Sequence, residues 1–164
     1  MTEAFAKAGA RVAVPYIVDE EVLLLKSKLK QSMTKVQLQK VDLFKESDVR
    51  NSVGFFAKKL RRIDFLVNLV GGYFGGPTIA ETDERDWDRM MRLNLKPTFL
   101  ACKAVLPYMV KRMYGRIVNI ASESGLRGEG TLGAYSVSKS GVLRLTETIA
   151  DEYREYNITA NAIL

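Results

Sequence analysis

The stretch GRIVNIAS, residues 115–122, is the longest strand candidate in the chain, and helical patterns flank it on both sides. One helical pattern ends near Arg112, and a longer one covers 134–156. The stretch ITANAIL, residues 158–164, then predicts a further strand. A strand that lies between two helices in this way is typical of a parallel sheet covered by helices.

The same alternation continues toward the N-terminus. Strands are predicted at 11–14 (RVAV), 35–41 and 63–68 (IDFLVN). Helices are predicted at 20–31, with Leu24, Leu25 and Leu29 on its apolar face, at 47–60, and from a cap at Thr82 or Asp83 to an interruption at Pro97. The opening TEAFAKAG reads as the tail of a helix that Gly9 ends. We expect an α/β fold with a doubly wound parallel sheet, in one domain over 1–164, with ligand sites at the carboxyl ends of the strands.

Composition excludes several functional classes. The chain of 164 residues is 47% hydrophobic and 27% charged, and it contains no apolar run that could cross a bilayer and no apolar segment typical of a signal peptide. Histidine is absent, which excludes histidine-based triads and, with Cys102 as the single cysteine, disfavours a metal site. One cysteine also favours a reducing, cytoplasmic location. The net charge of +6 suits an anionic partner such as a nucleotide, although charge alone favours a basic protein without a charged ligand.

A glycine pattern at 128–133, GEGTLG, matches the G-x-G-x-x-G pattern of dinucleotide-binding turns. In such turns the first glycine follows its strand almost directly, whereas here the strand ends near Ala121. The strand after the next helix also offers no acidic residue for a ribose. We therefore interpret this match as a glycine-containing loop.

Tyr135 and Lys139 stand four residues apart at the start of a helical pattern, so they share one face of that helix. The positive end of the helix dipole and a nearby ammonium both favour a phenolate, which would lower the pKa of the tyrosine from about 10. A tyrosine in that setting can exchange a proton with a carbonyl or an alcohol. Taken alone, the pair is more typical of a surface aromatic residue beside a solvated lysine.

Two further residues strengthen the interpretation. Ser122 follows the strand at 115–122, at the edge where parallel sheets place their ligands, and its hydroxyl can donate to the oxygen that Tyr135 serves. Asn94 precedes Pro97, which disturbs helical geometry and can free a carbonyl to hold a water.

These motifs strongly resemble the short-chain dehydrogenases/reductases. The resemblance rests on IVNIASESG (117–125), YSVSK (135–139), LNLKPTFLACKAVLPYM (93–109), LVNLVGG (66–72) and NITANAIL (157–164), in order and at the family's spacings. It implies a Rossmann-like fold and hydride transfer between a nicotinamide cofactor and a carbonyl or alcohol, similar to the 3-oxoacyl-carrier-protein reductases. The implied partners are a small-molecule substrate and a second copy of the chain, in a homodimer or homotetramer.

The resemblance also implies residue roles. Tyr135 would be the general acid/base, Ser122 would bind the substrate carbonyl, and Asn94 would anchor a water of the proton relay. Lys139 would lower the pKa of the tyrosine and hold the nicotinamide ribose. The residues expected to contact the adenosine half of NAD(P) are Asp42, Asn68 and Gly71.

The chain departs from the family pattern in three places. The turn after the third strand keeps only Asn68 and Gly71 of the family's Asn-Asn-Ala-Gly. The family's first strand, with its glycine-rich turn, and its last strand have no counterpart, so we expect either that the flanking strands close up or that the chain is part of a longer protein. Pro15 and Tyr16 stand where NAD-preferring members carry an acid, which favours NADP.

Two alternatives stay open at the level of sequence. A non-catalytic fragment or pseudoenzyme would use the helical segments at 96–112 and 134–156 for assembly and would bind no cofactor alone. A nucleic-acid binder is prompted only by the positive charge, and the scattered basic residues carry no groove-reading motif, so we expect no nucleic-acid partner.

Overall fold

The computed structural model describes residues 1–29 and 35–164. The chain divides into two compact units, Met1–Arg62 and Ile63–Leu164, and each contains its own parallel sheet. The α/β architecture with parallel sheets is thus confirmed. The expectation of one domain over residues 1–164 stays a prediction.

The first unit is a two-stranded parallel sheet with three helices. Its elements are α1 (Thr2–Lys7), β1 (Val12–Tyr16), α2 (Asp19–Leu29), β2 (Val36–Lys40) and α3 (Glu46–Leu60). Val12 pairs with Val36 at one end of the sheet and Tyr16 pairs with Lys40 at the other. The buried core of this unit is built around Ala6, Leu29 and Val36, onto which partly buried aliphatic side chains of β1, α2 and β2 pack.

The end of α1 confirms the sequence prediction for Gly9. Gly9 has a φ of +94° and its amide donates to Ala6 O, while the amide of Ala10 donates to Phe5 O. These two bonds satisfy carbonyls of the last helical turn and form a Schellman ending, in which glycine is favoured at the left-handed position.

The buried face of α2 differs from the predicted one. Leu25 and Leu29 face the core, but Leu24 is 58% exposed and Val22 is buried in its place. Positions 22, 25 and 29 follow the spacing of a single helical face, whereas position 24 lies about 100° away from position 25. Residues 30 and 31 of the predicted helix lie outside the described residues.

The second unit has a three-stranded parallel sheet in the order β3-β4-β5. Its strands are β3 (Phe65–Asn68), β4 (Gly115–Ile120) and β5 (Ile158–Ile163), and its helices are α4 (Glu84–Met90), α5 (Lys96–Arg112) and α6 (Gly133–Glu152). Strand β4 lies in the middle, and Asn68 pairs with Asn119 at its β3 side. The predicted helix 134–156 ends early because a short 3₁₀ turn, Arg154–Tyr156, follows and Asn157 adopts a positive φ of 54°.

Helices α4 and α5 are joined without a break. Asp83 caps α4 by accepting a hydrogen bond from the amide of Arg85, as predicted. The segment Met91–Leu95 is a π-helical turn, and α5 continues directly from it. Pro97 does not end the helix: Lys96 before it keeps helical angles (φ −60°, ψ −47°), and the hydrogen-bond pattern changes from α to π over the five residues that precede α5.

No helix among the described residues has the length and apolar character needed to cross a membrane.

Candidate active site

The start of α6 brings Tyr135 and Lys139 together. The Lys139 Nζ lies 5.9 Å from the centre of the Tyr135 ring, so the shared helix face predicted from their spacing is confirmed. Tyr135 is half-buried, while Lys139 is only 5% exposed. The ammonium donates a hydrogen bond of 2.9 Å to Ile120 O, at the last residue of β4. Helix α6 is thereby tied to the carboxyl end of the central strand.

Burial also changes the acidity of Lys139. Removal from water disfavours the charged form, and this lowers the pKa of the ammonium below its usual value of 10.5. A buried lysine of this kind is a typical component of functional sites, because its charge and its hydrogen bonds act in a low-dielectric setting.

Gly71 lies directly against the side chains of Asn94 and Lys139. A Cβ at position 71 would stand 2.9 Å from Asn94 Oδ1 and 3.5 Å from Lys139 Nζ, so a larger residue would press on both side chains. The turn that follows β3 therefore packs closely on both side chains, and glycine at position 71 permits that approach.

Asn94 connects that turn to α6. It is buried at 1% exposure within the π-helical turn, and its Oδ1 accepts a hydrogen bond of 2.7 Å from the amide of Gly72. Its Nδ2 donates to Ser138 Oγ at 2.9 Å, and that hydroxyl donates to Tyr135 O at 2.7 Å. Three consecutive hydrogen bonds thus run from the glycine turn to the backbone of Tyr135.

The backbone carbonyl of Asn94 is partly engaged. Thr98 Oγ1 donates a hydrogen bond of 3.2 Å to Asn94 O. The water that the sequence predicts at this carbonyl stays a prediction.

Ser122 lies at the carboxyl end of the central strand, as predicted. It is half-buried and caps the 3₁₀ turn Glu123–Gly125, with its Oγ accepting from the amide of Ser124 at 3.3 Å. Because Oγ acts as an acceptor there, its own proton is free to be donated. Ser122 is two residues beyond Ile120, whose carbonyl binds Lys139.

Asn68 points its side chain into the sheet. Its Nδ2 donates to Asn119 Oδ1 at 2.8 Å and lies 3.5 Å from Cys102 Sγ. Asn119 in turn donates to Thr146 Oγ1 at 2.8 Å, and Thr146 donates to Val142 O in α6. The side chain of Asn68 therefore braces β3, β4 and α6, which leaves its backbone for any contact with a cofactor.

Asp42 belongs to the first unit and is described there by itself. It is exposed, follows β2 by two residues, and accepts a hydrogen bond of 2.8 Å from the amide of Phe44. A shallow hollow beside it is lined by Ile17, Lys40, Val41, Asp42 and Phe44. This placement at the carboxyl end of a parallel strand agrees with the general position of ligand sites in such folds.

Three residues of the site were missed in the sequence. Ser138 and Asn119 act through partners that are distant in the chain, and no spacing reveals those contacts. Tyr73 packs edge-on against Tyr135, with ring centres 5.1 Å apart and planes at 64°. The only local signal for Tyr73 is that an aromatic residue interrupts the glycine-rich turn GGYFGG at 71–76.

Comparison with known sequences gives a match along the whole chain. The family model described as short chain dehydrogenase matches residues 1–164. An uncharacterized oxidoreductase of Bacillus subtilis, YxjF, is 35% identical over 97% of this chain and 62% of its own length. The 3-oxoacyl-[acyl-carrier-protein] reductase FabG of Thermotoga maritima is 33% identical over 97% of this chain and 64% of its own length. The chain thus spans less than two thirds of the length of these two relatives.

Solved structures share the fold closely. The structure of ElxO with NADP bound superposes with a TM-score of 0.93 at 27% identity, and it covers 98% of this chain and 65% of that one. The structure of NAD⁺-bound xylitol dehydrogenase has a TM-score of 0.86 at 29% identity, and it covers 92% of this chain and 58% of that one. Each of these two structures holds a nicotinamide cofactor, NADP in one and NAD⁺ in the other.

Proposed function

The chain belongs to the short-chain dehydrogenase family, and from that premise we propose that the protein transfers hydride between NAD(P) and a small carbonyl or alcohol substrate, with Tyr135 as general acid/base. The observation that carries the proposal is the group formed by Tyr135, Lys139, Asn94 and Gly71 at the carboxyl ends of β3 and β4. The relative named as a 3-oxoacyl-carrier-protein reductase supports a carbonyl substrate.

In the direction of reduction, the Tyr135 hydroxyl donates a proton to the substrate oxygen as that oxygen gains negative charge. Ser122 donates a second hydrogen bond to the same oxygen and stabilises the developing charge. Lys139 contributes a positive charge beside the Tyr135 ring, which stabilises the phenolate left after transfer. We place the water of the proton relay at Asn94 O, and that water resupplies the proton.

The cofactor supplies the hydride when bound, and the protein supplies its position. Gly71 supports this role because a residue without a side chain lets the turn after β3 pack closely on Asn94 and Lys139. Lys139 would hold the nicotinamide ribose, while Asp42 and the backbone of Asn68 would contact the adenosine half. The absence of an acid at Pro15 and Tyr16 favours NADP over NAD.

We further propose that the protein works as a homodimer or homotetramer in the cytoplasm. Helices α5 and α6 are the candidates for the interface, as the family resemblance implies.

The test is the substitution Tyr135→Phe in the purified protein, assayed by oxidation of NADPH with a 3-oxo ester. Loss of the hydroxyl removes the proton donor, so we expect kcat to fall by about 10²-fold or more while the Kd for NADPH is unchanged. The matched control is Tyr156→Phe, which removes a hydroxyl from an exposed ring beyond the far end of α6 and leaves kcat unchanged.

Two outcomes would count against the proposal. Turnover that survives in Tyr135→Phe removes Tyr135 from the chemistry. A folded protein with no measurable affinity for NADPH or NADH contradicts the enzymatic function and favours a role in assembly.

A further inference from the structure

Tyr73 occupies one side of the ring of Tyr135. The two rings meet edge to face with their centres 5.1 Å apart, which is a favourable aromatic geometry. Tyr135 is half-buried, but Tyr73 is 68% exposed. The contact uses one part of the Tyr73 ring and leaves most of its surface open beside the proposed acid/base.

The loop that carries Tyr73 is anchored on both sides of it. On the N-terminal side, the amide of Gly72 donates to Asn94 Oδ1 at 2.7 Å. On the C-terminal side, the amide of Gly76 donates to Thr131 O at 2.9 Å, two residues before α6 begins. Tyr73 is thus held at a defined place, because the segment of three residues between the two anchors has little freedom.

Gly75 permits this arrangement. A Cβ at position 75 would collide with the Leu132 side chain and would lie 2.9 Å from the Tyr73 hydroxyl. Leu132 therefore packs on bare backbone beneath Tyr73.

Ile79 extends the apolar surface next to α6. It is 69% exposed, and it packs so closely on Gly133, the first residue of α6, that a Cβ there would collide with it. Tyr73, Leu132 and Ile79 together form what we call the apolar wall. Exposed apolar residues that are held in place beside polar reacting groups are typical of a substrate pocket, where a few polar groups orient the ligand and apolar groups bind the rest.

We propose that Tyr73 is a specificity-determining residue whose ring binds a planar, apolar substituent next to the substrate carbonyl. The site then prefers ketones that carry an aromatic group over ketones of the same class that carry only a methyl group. This inference rests on the proposed function, because it places the reacting carbonyl at Tyr135.

The experiment compares two substrates that differ only at that substituent, ethyl benzoylacetate (phenyl) and ethyl acetoacetate (methyl). We expect kcat/KM of the unmodified protein to be higher for the phenyl ester. Tyr73→Ala removes the ring contact, and the ratio of kcat/KM values for phenyl over methyl should fall by about 10-fold, which corresponds to a lost aromatic contact. The Kd for NADPH should not change.

Two further variants at position 73 separate the contribution of the aromatic ring to the substrate preference from the contributions of the hydroxyl and of side-chain size. Tyr73→Phe retains the ring and should keep the ratio within about twofold of the unmodified protein. Tyr73→Leu retains apolar bulk without a ring and should give an intermediate ratio. Because Tyr73 is largely exposed, none of these variants empties the core of the second unit.

The outcomes distinguish this inference from the proposed function. An unchanged ratio in Tyr73→Ala, with turnover of both esters abolished in Tyr135→Phe, overturns the role of Tyr73 and leaves the proposed function in place. A reduced ratio in Tyr73→Ala, with turnover surviving in Tyr135→Phe, supports Tyr73 and contradicts the role of Tyr135. No turnover of either ester by the unmodified protein overturns both.

Discussion

Lys139 and Cys102 are both buried in the second unit, and burial moves their pKa values in opposite directions. Removal from water disfavours charge, so the pKa of the Lys139 ammonium falls and the pKa of the Cys102 thiol rises to about 12. The side-chain hydrogen bonds of Cys102 with Asn68 and Asn119 lower the pKa of the thiol but offset the rise only in part. The folded protein therefore holds Cys102 as a neutral thiol across the pH range in which an exposed thiol ionises.

The thiol gives a testable expectation about reactivity. Because the pKa of Cys102 rises from 9.0 to about 12, its thiolate fraction at pH 8 falls by about 10³-fold, and iodoacetamide should label the native protein at least that much more slowly than the urea-unfolded chain. The labelling rate can be followed by mass spectrometry. Equal rates in the native and unfolded proteins would show that Cys102 is accessible and ionised.

The raised pKa of Cys102 also makes the free energy of unfolding depend on pH. The raised pKa in the folded state stabilises the fold fully below about pH 9, and this contribution is lost as the pH rises toward 12, because the unfolded chain then releases a proton that the folded chain keeps.

At the scale of elements, the π-helical turn and α6 are coupled through Ser138. Its hydroxyl accepts from Asn94 Nδ2 and donates to Tyr135 O, and the residue is fully buried. Ser138→Ala would leave the buried Asn94 amide without this acceptor, at a cost of about 1–3 kcal/mol in the free energy of unfolding. Urea unfolding followed by circular dichroism measures this cost.

Ser140→Ala is the matched control for that substitution. Ser140 also lies in α6 and donates to a backbone carbonyl, that of Gly125, but no side-chain amide depends on it. We expect a loss of about 1 kcal/mol or less for Ser140→Ala. Equal losses in the two variants would mean that the Asn94–Ser138 bond contributes nothing beyond an ordinary serine.

The sequence predicted the strands and helices well because their signals are local. The apolar runs, the cap at Asp83 and the left-handed Gly9 each depend on neighbours within a few residues. Leu24 was assigned to the wrong face of α2 because three leucines in a row satisfy several helical faces equally. The predicted break at Pro97 was wrong: the chain stays helical through Lys96, because the π-helical turn changes the hydrogen-bond pattern just before the proline, which has no amide to donate.

The candidate site was predictable only in part, for a similar reason. The shared face of Tyr135 and Lys139 follows from helical spacing, and the position of Ser122 follows from the end of a strand. Tyr73 depends on contacts between segments about 60 residues apart in sequence, such as that between Gly76 and Thr131. Tertiary packing decides such contacts, and no pattern in the chain encodes them.

At the scale of the whole molecule, the net charge of +6 should act on an anionic cofactor. Raising the salt concentration from 0.01 M to 1 M shortens the Debye length from about 30 Å to about 3 Å, so the Kd for NADPH should rise by about threefold or more. NADH lacks the 2′-phosphate and should show a smaller rise. Isothermal titration calorimetry at both salt concentrations gives the Kd of each cofactor. Equal changes in Kd for NADPH and NADH would contradict a contribution of the phosphate charge.

The proposed site residues are divided unequally between the two units. The residues proposed for proton transfer, Tyr135, Ser122, Lys139 and Asn94, all belong to the second unit, whereas Asp42 belongs to the first. Of the residues proposed for the adenosine half, Asp42 thus belongs to the first unit, and Asn68 and Gly71 belong to the second. The residues proposed for proton transfer lie in the unit with the three-stranded sheet, which has β4 in its centre.

The π-helical turn at Met91–Leu95 contains one residue more than an α-helical turn would use. Deletion of a single residue there would allow the segment to form a regular α-helix. The same deletion would rotate α4 by about 100° about the helix axis relative to α5. Either Asn94 or α4 would then turn away from its present partners. A local gain in helical order would thus be opposed by the loss of the contact with Gly72, so the irregularity persists only for as long as that contact matters.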